Sequence, residues 1–336
     1  MQVIKIPPAQ PLPDLITVNA VLIAVRQAAK VLCDRATLLV LLHAHGGTSR
    51  YVDFSGQTGL ASRLLSSRLS QLTEEGLLVR IPYSRRPLRH AYHLTHMGTA
   101  LFDVLALLVT WEQAWPGAEG VNDMAQVIHR GCKAADGQAN DAATTVRMHC
   151  AACKLSVAPR DISFRVSQTE LAKMPAKSTA TRKTSQDTAV KPGDALTPIP
   201  QGLAVLGDKW SIEVLVCAFF GLRQFGNFGK NLGISTNILT DRLERLVQEG
   251  LLHRTTDDNT THRKGLYLLT PKGRDFYAIL IAIQSWADEW IHHRVRSPVK
   301  LRHALCHKPL QPMLMCTACG LPVTHPEGQI RVAKAT

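Results

Sequence analysis

Short pairs of cysteine and histidine stand out in the chain because their residue types and spacing suit metal binding. A His-x-x-Cys pair is followed by a Cys-x-x-Cys pair near the middle of the chain and again near its end. Four thiolate or imidazole ligands in two close pairs match the tetrahedral preference of Zn²⁺ and leave no coordination position open, as in structural sites. The spacing predicts one zinc site from His129, Cys132, Cys150 and Cys153, and a second from His303, Cys306, Cys316 and Cys319.

Other interpretations of these residues stay open. The same cysteines are alternatively free thiols, a redox pair, or the remains of a ribbon that has lost its metal. His149 and His307 are alternative ligands. Gly320 directly follows the last pair, where a left-handed residue closes such a turn.

The sequence that precedes each group of cysteine and histidine pairs is repeated in the chain. RLSQLTEEGLLVR at 68–80 and RLERLVQEGLLHR at 242–254 share the same arginine, leucine and Glu-Gly-Leu-Leu positions. The match extends without a gap back to Val31 and Val205, and with one extra residue forward to Trp115 and Trp290. Internal similarity of this extent indicates a duplicated domain. The 336 residues are also the length expected of about two domains.

The second copy shows the order of elements of a winged helix-turn-helix. A helical pattern covers 202–217 and a short helix follows near 225–231. Ser235 is placed to cap the next helix, Gly250 to end it, and Pro271 to open a closing helix after a two-stranded hairpin. The buried stripe of the capped helix is predicted to contain Ile238, Leu239, Leu243, Leu246 and Val247.

The fold class is therefore predicted as mainly α with small β-hairpins, an α+β fold with two winged helix-turn-helix domains. The first domain covers 14–120 and is the more degenerate copy, and the second covers 196–293. Each is followed by a short Cys/His ribbon, at 121–164 and 294–332. Residues 165–195 are rich in Ser, Thr, Ala and Lys without apolar periodicity, which predicts a flexible linker.

The run LGDKWSIEVLVCAFFGLRQFGNFGKNLGISTNILTDRLERLVQEGLLHR, followed by YLLTPKG, resembles the HxlR-type winged helix-turn-helix transcriptional regulators of bacteria. The resemblance covers 198–292, and the first copy matches more loosely over 25–115, with Ala36 where the family has tryptophan. Members of the family are typically dimers that address two DNA half-sites. The resemblance thus implies a DNA-binding regulator whose tandem chain forms an intramolecular pseudo-dimer, with a homodimer as the alternative.

The second helix of a helix-turn-helix presents its exposed face to base edges in the major groove, while flanking basic residues contact phosphates. Asn237 suits adenine, whereas Arg63 at the equivalent position suits guanine. The candidate DNA-binding residues of the first copy are Ser62, Arg63, Ser66, Ser67, Arg85, Arg86 and Arg89. Those of the second copy are Ser235, Thr236, Asn237, Thr240, Asp241, Arg245, His262, Arg263 and Lys264.

Composition agrees with an anionic partner and with a cytoplasmic location. The formal net charge of +13 favours nucleic acid, although it also suits an anionic membrane face. No secretory signal or apolar run of about 20 residues is present, so no membrane span is expected. The chain lacks a phosphate loop, a nucleotide-binding glycine pattern and a catalytic triad, which argues against an enzyme. The alternative function is a protein-interaction module in which one copy no longer binds DNA.

Overall fold

The structure is a computed structural model of the chain. It describes residues 15–117, 125–133, 139–172, 197–255, 265–291 and 297–333. Each copy forms a winged helix-turn-helix followed by a ribbon of short strands, which agrees with the predicted α+β class. Buried apolar side chains from both copies form one continuous core.

The first copy begins with four helices, continues with a two-stranded wing and a closing helix, and ends in the ribbon. Its helices are α1 (Leu15–Leu32), α2 (Arg35–His45), α3 (Tyr51–Thr58), α4 (Ser62–Glu74), α5 (His96–Thr99), α6 (Phe102–Ala114) and α7 (Gln168–Ala172). Its strands are β1 (Leu78–Arg85), β2 (Leu88–Leu94), β3 (Ala125–Lys133), β4 (Ala139–Thr144), β5 (Val146–Cys150) and β6 (Ile162–Val166).

The second copy repeats this order. Its helices are α8 (Pro200–Leu206), α9 (Lys209–Phe219), α10 (Phe225–Leu232), α11 (Thr236–Gln248), α12 (Pro271–Asp275) and α13 (Tyr277–Trp290). Its strands are β7 (Leu252–Arg254), β8 (Tyr267–Leu269), β9 (Val299–His303), β10 (Pro312–Cys316) and β11 (Gly328–Val332). Strands β1 and β2 form the first wing, and β7 and β8 form the second.

Three local predictions for the second copy need correction. The helical pattern over 202–217 is two helices, because the Asp208 side chain accepts a hydrogen bond from the Ser211 amide at 2.9 Å and caps a new helix. The closing helix is divided into α12 and α13 at Phe276. Ile238 is 39% exposed and so does not belong to the buried stripe.

A Leu-Thr-x-x-Gly sequence after each wing joins the wing to the closing helix. In the second copy the Thr270 hydroxyl accepts from the Gly273 amide at 3.0 Å and donates to the Gly250 carbonyl at 2.6 Å. A Cβ atom on Gly273 would lie 2.1 Å from the Leu251 carbonyl oxygen, so only glycine fits there. The first copy repeats the same contacts with Thr95, Gly98, Gly76 and Leu77.

The ribbon strands pair mostly between copies. Strand β11 pairs with β3, β10 with β5 and β9 with β6, and all three pairs are antiparallel. In the central pair Met148 lies opposite Leu314, and each of these residues stands two positions before the first cysteine of its own Cys-x-x-Cys pair. A backbone bridge likewise joins Asp34 to its repeat equivalent Asp208. Equivalent residues facing each other indicate an approximate two-fold relation between the copies.

The start of the predicted linker is structured. Strand β6 runs to Val166 and α7 covers Gln168–Ala172, although the linker was predicted to begin at residue 165. The composition of this segment gives no sign of a strand, because the strand forms only by pairing with β9, more than 130 residues further along the chain. Residues 173–195, which make up the rest of the predicted linker, lie outside the described residues.

Helices also pack across the boundary between the copies. Helix α1 of the first copy packs against α9 and α13 of the second. Arg26 on α1 lies 2.7 Å from the buried carboxylate of Glu213. Burial raises the pKa of Glu213, and Arg26 offsets part of that effect. The indole N–H of Trp111 donates to the Lys272 carbonyl at 3.1 Å, and that of Trp286 donates to the Met97 carbonyl at 3.0 Å.

Substitution of Gly273 by alanine tests the close approach at the end of the wing. Gly273→Ala is expected to lower the free energy of unfolding by about 2–3 kcal/mol, because the added Cβ overlaps a backbone oxygen that cannot move freely. Gly226→Ala is the control, since a Cβ on that glycine of α10 meets no atom within 4 Å. Urea unfolding of both variants measures the difference, and equal stabilities would contradict the assigned contact.

Candidate nucleic-acid interface and metal centres

Helices α4 and α11 are the second helices of the two helix-turn-helix units. Each buries three leucines at spacings of three and four residues, which fixes one face against its own copy. The buried leucines are Leu65, Leu69 and Leu72 in α4, and Leu239, Leu243 and Leu246 in α11. The opposite face of each helix is therefore open to solvent.

The structure places the predicted DNA-binding residues on this open face and on the first wing. Every predicted residue in the described part of the chain is exposed: Ser62, Arg63, Ser66, Ser67, Arg85, Arg86, Arg89, Ser235, Thr236, Asn237, Thr240, Asp241 and Arg245. His262, Arg263 and Lys264, predicted for the second wing, lie outside the described residues. Four positions are equivalent in the two copies and carry different side chains: Ser62 and Thr236, Arg63 and Asn237, Ser66 and Thr240, and Ser67 and Asp241.

The two recognition helices begin differently. The Ser235 hydroxyl caps α11 by accepting from the Ile238 amide at 3.4 Å, as the sequence predicts. Ala61 stands at the equivalent position of α4 and offers no side-chain cap. Instead the Tyr51 hydroxyl donates to the Ser62 carbonyl at 3.1 Å, and the Ser66 hydroxyl donates to Tyr51 at 3.4 Å. The first turn of α4 is therefore held by α3.

Sequence reasoning missed one exposed apolar residue on α11. Ile238 lies next to Asn237 and is directed away from the leucine stripe. An apolar side chain at such a position can contact the methyl group of thymine. Strict spacing from Leu239, Leu243 and Leu246 would have excluded Ile238 from the core, because it precedes the first leucine by only one residue.

An arginine near the middle of each recognition helix is bound to the aspartate that caps α2 or α9, the core helix of its copy. Arg68 Nε donates to Asp34 Oδ1 at 2.7 Å, and Arg242 Nε lies 2.7 Å from Asp208 Oδ2. The adjacent Asp241 is the second ion-pair partner of Arg242. These two arginines therefore position the recognition helices on their scaffold.

The Asp34 carboxylate has two partners that stabilise its charged form. Burial raises the pKa of Asp34, but hydrogen bonds from Arg68 and from the Thr37 amide outweigh it, so the pKa lies below its usual value. The Thr37 amide donates at 2.8 Å and belongs to the first turn of α2. Asp34 thus caps α2 and holds Arg68 at the same time.

The predicted metal ligands are brought together, but in a different grouping from the predicted one. One cluster contains His129 and Cys132 from the first copy with Cys316 and Cys319 from the second. The other contains Cys150 and Cys153 from the first copy with His303 and Cys306 from the second. The prediction of one site within each copy was wrong, because the ribbon strands pair across the copies and carry half of each ligand set with them.

The spacing of the ligand atoms fits a four-coordinate ion. A tetrahedral zinc with Zn–S of about 2.3 Å and Zn–N of about 2.05 Å separates two sulfurs by about 3.8 Å, and sulfur from nitrogen by about 3.6 Å. The Cys132–Cys316 and Cys150–Cys306 sulfurs are 3.8 and 3.9 Å apart. Cys319 Sγ lies 3.4 Å from His129 Nδ1, and Cys153 Sγ lies 3.2 Å from His303 Nδ1. Neither pair of sulfurs is joined by a disulfide, whose bond length is about 2.05 Å.

The surroundings of Cys316 favour a thiolate. Burial is the largest single effect and raises its pKa, but hydrogen bonds from Thr144, from the Cys319 and Ala318 amides and from His129 bring the pKa down to about 6. By contrast, burial raises the pKa of Cys132 to about 12. An ion in the cluster would favour the thiolate form of both, since coordination deprotonates thiols.

The turns of the two Cys-x-x-Cys pairs have the same backbone. Gly320 adopts the predicted left-handed conformation with φ of 68°, and Lys154 takes its place in the other turn with φ of 63°. The alternative ligands lie outside both clusters. His149 Nδ1 lies 2.8 Å from the Lys154 carbonyl oxygen, and His307 is exposed.

Comparison with known proteins gives consistent matches. A family model described as HxlR-like helix-turn-helix matches residues 31–119 and 205–295. An uncharacterized HTH-type transcriptional regulator from Mycobacterium tuberculosis is 37% identical over 126 residues, covering 38% of this chain and 79% of that protein. Another from Synechocystis sp. is 35% identical over 97 residues, covering 29% and 71%. A solved structure of a proposed transcription factor from Pseudomonas aeruginosa is 32% identical, covers 38% and 87%, and has a TM-score of 0.30.

Across the described part of the chain, every helix is too short or too polar to cross a membrane.

Substitution of Arg68 tests the bond between scaffold and recognition helix. Arg68→Ala is expected to lower the free energy of unfolding at pH 7 by about 1 kcal/mol, because the pair is partly exposed. The folded-state pKa of Asp34 is depressed, so this contribution is present above the usual pKa of 3.8 and is lost as the pH falls through the folded value. Unfolding measured from pH 7 downwards should show the difference shrinking. Arg80→Ala, an exposed arginine on β1, is the control, and a pH-independent difference for Arg68→Ala would contradict the assignment.

Proposed function

Since the chain belongs to the HxlR-like helix-turn-helix family, we propose that it is a transcriptional regulator that binds double-stranded DNA with both winged helix-turn-helix units. The observation that carries this proposal is the pair of recognition helices, α4 and α11, each anchored by leucines and each exposing polar and basic side chains. The net charge of +13 adds the long-range attraction that nucleic-acid binding requires. Such a regulator acts on chromosomal DNA, so its place is the cytoplasm.

The proposed binding unit is an intramolecular pseudo-dimer. Three strand pairs, a shared apolar core and the packing of α1 on α9 and α13 support association of the two copies within one chain. Equivalent residues meet at the boundary, as at Asp34 and Asp208, which is the arrangement that two half-sites of opposite orientation require. One chain would then occupy one operator.

The two half-sites of this operator are proposed to differ in sequence. Arg63 and Asn237 occupy equivalent exposed positions at the start of the two recognition helices. An arginine forms two hydrogen bonds with guanine, and an asparagine does so with adenine. A homodimer of identical units reads two identical half-sites, whereas this chain has two different reading faces.

Each Cys/His cluster is proposed to hold one Zn²⁺ ion. The donor set of three thiolates and one imidazole, together with separations near those of a tetrahedron, supports zinc over cations that prefer oxygen ligands. His129, Cys132, Cys316 and Cys319 would hold one ion, and Cys150, Cys153, His303 and Cys306 the other. With all four positions filled by protein, the ion's contribution is structural.

A second candidate function has one observation in its favour. Strand β1 of the first wing exposes Val79, Ile81 and Tyr83, which lie at alternating positions and are 41%, 46% and 44% exposed. An exposed apolar row of this kind suits a protein partner. In that case the first copy would bind protein and only the second would bind DNA.

Two substitutions separate these candidates. Arg63→Ala and Asn237→Ala should each weaken binding to a duplex selected by the chain from a random-sequence pool, by about 1–3 kcal/mol. The two variants should lose discrimination in opposite halves of the duplex, because each residue reads one half-site. Gln248→Ala, at the far end of α11, is the control. An Arg63→Ala variant with unchanged affinity would favour the protein-interaction candidate, and selection of no preferred sequence by the intact chain would sink the regulator proposal.

Pairs of cysteine substitutions test both zinc and its grouping. The intact chain should carry two zinc ions, and Cys33→Ser, outside the clusters, should leave both. Cys132→Ser with Cys316→Ser should leave one ion, because both residues belong to the same cluster. Cys132→Ser with Cys150→Ser should leave none, since one residue is lost from each cluster. Elemental analysis of protein purified under reducing conditions counts the ions. If the Cys132 and Cys316 substitutions left no ion and the Cys132 and Cys150 substitutions left one, each site would be formed within a single copy. An intact chain without metal would exclude zinc.

A further inference from the structure

Each Cys/His cluster is built from both copies, so an ion in it would bridge the two halves of the chain. The pair His129 and Cys132 lies on β3 of the first copy, while Cys316 and Cys319 lie at the end of β10 and in the turn after it. In the second cluster the first copy supplies the Cys-x-x-Cys pair and the second copy supplies the His-x-x-Cys pair. Four-coordinate binding is therefore available only while the copies are docked in this register.

The strand that follows each Cys-x-x-Cys turn reaches the core helix of the opposite copy. After Cys319 the chain forms β11, which packs against α2 of the first copy. A Cβ atom on Gly46, at the end of α2, would lie 3.4 Å from Val332 on that strand. After Cys153 the chain forms β6, where the Phe164 ring lies 4.9 Å from the ring of Phe220 at the end of α9. Gly46 and Phe220 are equivalent positions of the repeat.

The same two core helices hold the recognition helices. Asp34 caps α2 and binds Arg68 of α4, and Asp208 caps α9 and binds Arg242 of α11. The capped ends of α2 and α9 meet each other through the backbone bridge between the two aspartates. A continuous route of contacts therefore leads from each cluster, through one ribbon strand and one core helix, to a recognition helix.

We propose that Zn²⁺ bound at the two shared clusters couples the two DNA-binding units and makes binding to a two-half-site operator dependent on metal. The ions clamp β11 and β6 onto the core helices of the opposite copies and so fix the relative position of α4 and α11. Without metal, each unit keeps its own leucine-anchored recognition helix but the pair loses its fixed spacing. This inference rests on the proposed DNA-binding function.

Thermodynamic linkage gives the direction and size of the effect. If metal favours the docked register and two-site DNA favours the same register, each ligand must raise the affinity of the other by the same factor. Couplings of this kind are typically about 5- to 150-fold. A single half-site does not depend on the spacing of the two helices, so its affinity should be almost independent of metal.

The experiment uses the full chain with Zn²⁺ as the only added metal. The first duplex is the one selected from a random-sequence pool by the metal-loaded chain, and the second is the same duplex with one half-site scrambled. Removing the metal with a strong chelator under reducing conditions should weaken binding to the intact duplex by about tenfold or more. Binding to the scrambled duplex should change by less than about twofold, and adding Zn²⁺ back should restore the original ratio.

Matched histidine variants localise the effect. His303→Ala removes one ligand from the second cluster and should lower affinity for the intact duplex at saturating Zn²⁺, with little change on the scrambled duplex. His307→Ala, four residues away and exposed, should bind both duplexes like the intact chain. Equal losses for His303→Ala and His307→Ala would overturn the assignment of the effect to the cluster.

The outcomes separate failure of this inference from failure of the proposed function. If the chain selects no duplex over random DNA, the DNA-binding proposal fails and the coupling with it. If it selects a duplex and binds it equally with and without Zn²⁺, the coupling alone is overturned. If chelation abolishes binding to both duplexes, the metal serves the folding of each unit rather than their coupling, which also overturns the inference.

Discussion

The antiparallel pairing of ribbon strands from opposite copies is the interaction on which the rest of the structure depends. Buried strands must pair their backbone N–H and C=O groups, and β5 of the first copy pairs over its whole length with β10 of the second. The pairing is antiparallel and is centred on the equivalent residues Met148 and Leu314. The two copies are therefore related by an approximate two-fold axis at this point. That single register carries two ligands of each Cys/His cluster across the boundary. It also brings β11 and β6 against the core helices of the opposite copies.

One buried contact at the boundary between the copies is not repeated. The buried Glu112 carboxylate accepts from the backbone amides of Gln201 and Gly202 at 3.1 and 2.7 Å, at the start of α8. These amides lack partners within the helix, and a negative charge there is favourable. The repeat equivalent of Glu112 is Ala287, so the contact exists in one direction only. This contact therefore stabilises the packing of the first copy on α8 of the second.

The two copies keep the same scaffold but expose different side chains on their recognition helices. The contacts that hold the scaffold occur twice, as in the indole N–H of Trp111 and of Trp286 donating to the opposite copy. By contrast, Arg63 and Asn237, at the start of the recognition helices, are exposed and differ between the copies.

Local features of the fold could be predicted because local chemistry determines them. The Ser235 cap, the left-handed Gly250 and the Leu-Thr-x-x-Gly turn each depend on residues within one turn or one hairpin. The prediction failed for Ile238, where burial was assigned by residue type rather than by its position on the helix. It also failed for the first part of the linker, because a strand such as β6 exists only with its distant partner.

The sequence by itself determined the duplication, the winged helix-turn-helix class and the eight residues that meet in the two Cys/His clusters. Only the tertiary structure decided how those eight divide into two sites. Spacing along a chain measures covalent distance, whereas a metal ion requires ligand atoms within about 4 Å of one another in space. Cys132 and Cys316 are separated by 184 residues and their sulfurs by 3.8 Å. Strand pairing between the copies sets that short distance, and no local pattern in the sequence encodes it.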